Sequence, residues 1–144
     1  MNTDTVGTVF LEDLEIGMTR SITKVIDLET VRGFAEVSED RNPIHLDEAA
    51  GAASIFGQRI AHGMLVASLF SALLATRLPG HGTIYLGQSL KFVAPVPIGS
   101  EVTATVTVSE IIAAKKRVIL ACEARIGDKL VITGDATVLA PTRG

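Results

Sequence analysis

The spacing of apolar positions changes character along this chain. Val102, Ala104, Val106 and Val108 alternate with Thr103, Thr105, Thr107 and Ser109, the two-residue repeat of a strand with one buried face. The stretches Ile84 to Val93, Val118 to Ile126 and Lys129 to Leu139 are similarly rich in β-formers. Gly127-Asp128 is short enough for a hairpin, while Pro95 to Gly99 and Ala113 to Lys116 supply the other turns. Ahead of these segments, in AHGMLVASLFSALLATRLPG, the residues Met64, Leu65, Val66, Leu69, Phe70, Leu73 and Leu74 cover nearly every face of a helix. Such a helix belongs inside the fold. Arg77, Pro79 and Gly80 give it a positive end and a stop.

Earlier in the chain, Met18 to Ile26 predicts a first strand, and Asp27 precedes a helical stretch carrying Val31, Phe34, Ala35 and Val37. Asp47 is the N-cap of a second short helix, and Gly51 and Gly57 loosen the chain beyond its first turn. The expectation is an α+β domain in which four strands follow one long buried helix, the first strand completing a largely antiparallel sheet wrapped around it.

Length and charge narrow the class. The 144 residues, 47% of them hydrophobic, suit one domain over 1–144 with residues 1–10 loosely ordered. A formal charge of −3, with both signs interspersed, leaves no footprint for nucleic acid or an anionic membrane surface. No apolar run approaches the ~20 residues that span a bilayer, and the acidic start MNTDTVGTVFLEDLE lacks the pattern of a signal peptide. A cytoplasmic location is expected. Cys122 is alone, which excludes an intrachain disulfide, and its apolar surroundings suggest a buried structural thiol.

The candidate chemistry lies in SEDRNPIHLD, Ser38 to Asp47. Pro43 fixes its own φ and pushes Asn42 out of the helical region, so the segment leaves a helix and turns. Asp40 and His45 then flank the turn, where a carboxylate and an imidazole can hold a water between them and move protons to and from it. The same residues also fit a structural role, because Asp before Asn-Pro is common turn chemistry and a histidine near a core is often only hydrogen-bonded.

Three segments, SEDRNPIHLD, RIAHGMLVASLFS at Arg59 to Ser71, and GTIYLGQSLKFVAPVPIGSEV at Gly82 to Val102, resemble the MaoC-like hydratase family, and within it the R-specific enoyl-CoA hydratases. The resemblance implies a hot-dog fold and the reversible hydration of acyl thioesters. It implies that Asp40 and His45 bind the attacking water and that the Gly63 amide, at the start of the buried helix, meets the thioester oxygen. Ser71 matches a serine lining the family's active site, although a hydroxyl bonded to the Ala67 carbonyl explains it equally well. Asn42 matches the motif asparagine and most simply braces the turn. His62 reads as a helix-start or structural residue, and His81 as a loop residue.

Leu74 is a candidate wall of the acyl tunnel, favouring short chains, and is as well explained by the core. Lys115, Lys116 and Arg117 could meet coenzyme A phosphates but read better as a solvated hairpin tip. No cofactor or metal is implied, coenzyme A being part of the substrate. A homodimer is expected, with sheets joined edge to edge.

The leading reading is R-specific hydration of short to medium trans-2-enoyl-CoA, with polyhydroxyalkanoate synthesis or fatty-acid oxidation as its setting. A hydratase or dehydratase of an acyl-carrier-protein, branched or dicarboxylic thioester would keep the same pair. A thioesterase is less favoured, and a non-catalytic acyl-CoA-binding module would leave the pair structural.

Overall fold

A computed structural model describes residues 6–144. In chain order the elements are β1 (Thr19–Ile26), α1 (Leu28–Ser38), α2 (Pro43–Leu46), α3 (Glu48–Ala53), α4 (Gly63–Thr76), β2 (Ile84–Gln88), β3 (Lys91–Phe92), β4 (Ser100–Ile112), β5 (Arg117–Ile126) and β6 (Lys129–Leu139). The strands form one six-stranded sheet in the order β1-β4-β5-β6-β2, with β3 also on β6, and every pairing is antiparallel.

The alternation seen in β4 sets the sheet's inner face. Ala104, Val106 and Val108 stand opposite Ala124, Cys122 and Leu120 of β5, and all six are essentially sealed from solvent. On the other face, hydroxyls pair across β1 and β4, Ser21 with Thr105 at 2.8 Å and Thr23 with Thr103 at 2.9 Å. A slip of one residue would exchange the two faces, so burial fixes the register. As expected, β1 completes the sheet, but at its far edge against β4.

Helix α4 lies against this apolar face, with Val66, Phe70, Leu73 and Leu74 at 0–1% exposure. Fully burying one such side chain stabilises the fold by roughly 1.5–3 kcal/mol. The helix is not covered all round. Met64 is 58% exposed, and Ser68, Ser71 and Ala75 extend the same open stripe at helical spacing. Single-chain periodicity therefore overstated the burial of Met64.

Two further expectations change. The segment Ile84 to Val93 is two strands, because the Ser89 carbonyl presses on β6 at Gly134, where a Cβ would lie 1.9 Å from that oxygen. Ser89 is held there by bonds to Asp135, its amide donating to the Asp135 carbonyl at 2.9 Å and its hydroxyl accepting from the Asp135 amide at 3.0 Å. The start of the chain, expected to be loose over residues 1–10, is pinned from Gly7 on. The amides of Gly7, Val9 and Leu11 donate to the carbonyls of Thr76, Pro79 and Pro141 at 2.7–2.8 Å. Gly80, at φ 99°, makes room for this crossing, since a Cβ there would lie 1.7 Å from the Gly7 oxygen. Residues 1–5 lie outside the described residues. Among the described residues no helix is long and apolar enough to cross a membrane.

Candidate active site

Local sequence builds the turn that carries Asp40. The Asp27 carboxylate caps α1, accepting from the Thr30 amide at 2.8 Å, and Thr30, through its side chain first and this amide second, holds the Asp27 pKa below the usual carboxylate value. Helix α1 ends at Ser38, and Glu39 takes a left-handed conformation, φ 70°, that turns the chain. The Asp40 amide then bonds the Ser38 hydroxyl at 3.1 Å, and one Asp40 carboxylate oxygen accepts from the Asn42 amide at 3.3 Å. Asn42 caps α2 by accepting from the Ile44 amide at 3.2 Å, with Pro43 at the first helical position. Asn42 is thus the brace expected of it, and Asp47 caps α3 through the Ala49 amide at 3.1 Å.

Helix α2 delivers His45 into the interior, where it is 8% exposed. Its Nδ1 lies 2.6 Å from the Ile60 carbonyl oxygen. A carbonyl only accepts, so Nδ1 carries the hydrogen and the neutral ring presents the lone pair of Nε2. Ile60 is itself fixed by a bridge to Pro97, and the neighbouring Ala61 amide donates to the Val96 carbonyl at 2.7 Å. The catalytic candidate is thereby tied to the segment that connects β3 to β4.

His62, read from sequence as structural, belongs to the same cluster. It occupies the N-cap of α4 with its side chain turned away from the capping role, and is 2% exposed. Its Nε2 lies 2.9 Å from the Asp40 backbone oxygen, which makes Nε2–H the donor. Its ring stacks on His45, with centroids 3.8 Å apart and planes at 27°, and meets Phe34 at 4.9 Å. Asp40, His45 and His62 each bring a carboxylate oxygen or ring nitrogen within 4.8 Å of the other two. One water can bridge groups at that separation. A single cation fits poorly, because lone pairs in two nearly parallel stacked planes do not converge on one point.

Gly63 opens α4, so its amide is one of the helix's orphan donors and sits at the positive end of the dipole. A Cβ here would lie 2.5 Å from Cε1 of Phe92. The Phe92 ring packs directly on the Gly63 backbone. These groups share a cavity of about 430 Å³. Asp40, His45, His62 and Gly63 give it one polar region, and Phe56, Met64, Phe92, Val96 and Ile132 are among its apolar walls. Such a division suits a small polar reacting group carrying an apolar tail.

The structure brings Asp40, His45 and Gly63 together around one cavity. It does not bring the remaining candidates to its walls. Asn42 is exposed at the cap, Ser71 faces outward on the open stripe of α4, and Leu74 is 1% exposed within the core. Lys115 and Lys116 are exposed at the β4–β5 turn, where Lys116 has φ 56°. Sequence reasoning missed Phe92 and Ile132, and for His62 the one available signal was its adjacency to Gly63.

An antiparallel sheet packed around one apolar helix, with an acid and an imidazole at the helix N-terminus, defines a hot-dog-fold protein with a proton-transfer site. A MaoC-like domain model matches residues 4–125. The chain is 46% identical over 144 residues, the full length of both proteins, to the (R)-specific enoyl-CoA hydratase of Rhodospirillum rubrum. It is 48% identical over 135 residues to the 3-hydroxybutyryl-CoA dehydratase of Methylorubrum extorquens, spanning 94% of this chain and 86% of that one. The solved (R)-hydratase of Aeromonas caviae, described as involved in PHA biosynthesis, superposes with a TM-score of 0.88 at 46% identity, over 90% of this chain and 99% of that one. The chain belongs to the MaoC-like domain family.

Proposed function

We propose that this protein is an R-specific enoyl-CoA hydratase, adding water to short or medium trans-2-enoyl-CoA to give (R)-3-hydroxyacyl-CoA. The observation that carries the reading is the bond from His45 Nδ1–H to the Ile60 carbonyl, which leaves Nε2 as a base beside the Asp40 carboxylate. The thioester oxygen accepts from the Gly63 amide, which polarises the conjugated carbonyl and makes the β-carbon electrophilic. A water held by Asp40 and His45 gives a proton to the pair as its hydroxyl bonds to the β-carbon. The pair returns a proton to the α-carbon on the same face as the enolate collapses. Hydroxyl and hydrogen therefore add syn, and no cofactor takes part because coenzyme A arrives with the substrate.

The apolar edge of the sheet supports a homodimer. Ile84 and Leu86 of the edge strand β2 are 53% and 46% exposed, and β2 pairs on one side only among the described residues. Such an edge is ordinarily covered. Cytoplasmic location and supply of hydroxyacyl-CoA for polyhydroxyalkanoate complete this reading. An acyl-carrier-protein substrate is the second reading, favoured by 34% identity over 132 residues to a mitochondrial 3-hydroxyacyl-[acyl-carrier-protein] dehydratase of Arabidopsis thaliana.

The test is loss of conjugated-thioester absorbance on mixing the protein with crotonyl-CoA, followed by chiral analysis of the 3-hydroxybutyryl product. An R product is expected. No turnover of crotonyl-CoA with turnover of the acyl-carrier-protein thioester would favour the second reading, and an S product would refute the assignment. Asp40→Asn and His45→Gln should each lower kcat by on the order of 10²–10⁴ with the fold intact. Near-parental turnover by either would remove it from the catalytic pair.

A further inference from the structure

We propose that His62 is a positioning residue for the Asp40–His45 pair, acting through its Nε2–H bond to the Asp40 backbone carbonyl. The inference rests on the hydratase reading of the site and assigns a role that the family resemblance did not give this residue. Asp40 itself is exposed, on a turn between two helices, and among the described residues its side chain has only the 3.3 Å bond from the Asn42 amide within that same turn. The His62 bond, spanning 22 residues of sequence at 2.9 Å, ties the Asp40 backbone to the N-cap of α4. That helix also supplies the Gly63 amide. One side chain thus references the acid to the oxyanion donor.

The ring completes the restraint. His62 lies between Phe34 of α1 and the His45 imidazole, which stacks on it at 3.8 Å. His45 is therefore held by its Nδ1–H bond at one point and by a flat wall along one face. Burying a histidine in this way has a cost, because its Nδ1 is sealed from solvent with no hydrogen-bond partner. A phenylalanine would make the same wall without that cost, so packing alone does not account for an imidazole here. The nitrogen that is satisfied is the one that reaches Asp40.

Three substitutions separate the contributions. His62→Gln can place a side-chain N–H near the Nε2 position without the ring, His62→Phe keeps the ring without the donor, and His62→Ala has neither. With parental turnover of crotonyl-CoA as reference, His62→Ala should lose roughly a hundredfold in kcat, the effect of a small misplacement of catalytic groups. KM should change less than kcat, because the His62 Nε2–H is engaged with the Asp40 backbone rather than offered to the substrate. His62→Gln should recover a large part of the loss and His62→Phe should not. A kcat for His62→Ala close to parental, a loss carried mainly by KM, or a His62→Phe variant more active than His62→Gln would each overturn the proposal.

Long-range proton–nitrogen NMR of the parental protein supplies a readout independent of folding of the variants. The Nε2–H tautomer is expected for His62 and the Nδ1–H tautomer for His45. The Nδ1–H tautomer at His62 would remove the bond on which the proposal stands. Failure of the hydratase reading would appear separately, as absence of turnover by the parental protein.

Discussion

Replacing Gly63 by alanine tests the oxyanion role with the least disturbance elsewhere. The added Cβ would sit 2.5 Å from Phe92 Cε1 and 2.7 Å from Cδ1, against a comfortable carbon–carbon contact of roughly 3.5–4.0 Å. The ring must therefore retreat by about 1 Å or more. Phe92 is 51% exposed, so it can swing outward without dismantling the core. The strain, typically about 1–3 kcal/mol for overpacking, is eased by the mobility of that half-exposed ring and offset in small part by alanine's helix preference over glycine. Stability should change little. Activity should not survive, because the methyl and the displaced ring occupy the part of the cavity where the thioester oxygen must reach the Gly63 amide. Losing one such donor costs roughly 10²–10³ in kcat, about 2.7–4 kcal/mol of transition-state stabilisation. Crotonyl-CoA hydration measured alongside thermal unfolding separates the two effects. Turnover near the parental rate in a folded Gly63→Ala protein would refute the assignment of that amide.

Other outcomes follow from burial and capping. Leu74→Ala empties a fully buried site and should cost about 2–5 kcal/mol in denaturant unfolding, and its ratio of octenoyl- to crotonyl-CoA turnover reports whether the new space joins the acyl cavity. A stability change near zero would contradict its place in the core. Asp27 has a pKa below its ordinary 3.8 through its bonds to Thr30. Its contribution is therefore complete above about pH 4 and is lost as pH falls through the lowered value. The stability gap between the parental protein and Asp27→Ala, measured by denaturant unfolding across that range, should shrink with acidification; a gap independent of pH would contradict a charged cap. Burial raises the Cys122 thiol to about 11, so a thiol reagent at pH 8 should label it only after unfolding. Fast labelling of the native protein would show that β5 opens.

Periodicity and short-range chemistry were enough for most of the elements, though not for the break between β2 and β3 or for the short helix α2. The two-residue repeat of β4 defined a strand with one buried face, and the Asp27, Asn42 and Asp47 caps were readable because each bond closes within three residues. The proximity of Asp40 and His45 was readable for the same reason, since Pro43 stops one helix and opens the short one that carries His45.

What sequence could not decide is which distant groups meet that turn. The His62 bond to Asp40, the Ile60 carbonyl that sets the His45 tautomer and the Phe92 ring over Gly63 join segments that local propensities leave independent. The open stripe of α4 and the pinned N-terminal segment crossing at Gly80 likewise arise from which surfaces the packed chain covers. Patterns of hydrophobicity specify that a face is buried, and caps specify where a helix begins. Only the folded antiparallel sheet, by fixing the path of the chain around α4, determines the partners that turn an acid and an imidazole into a site.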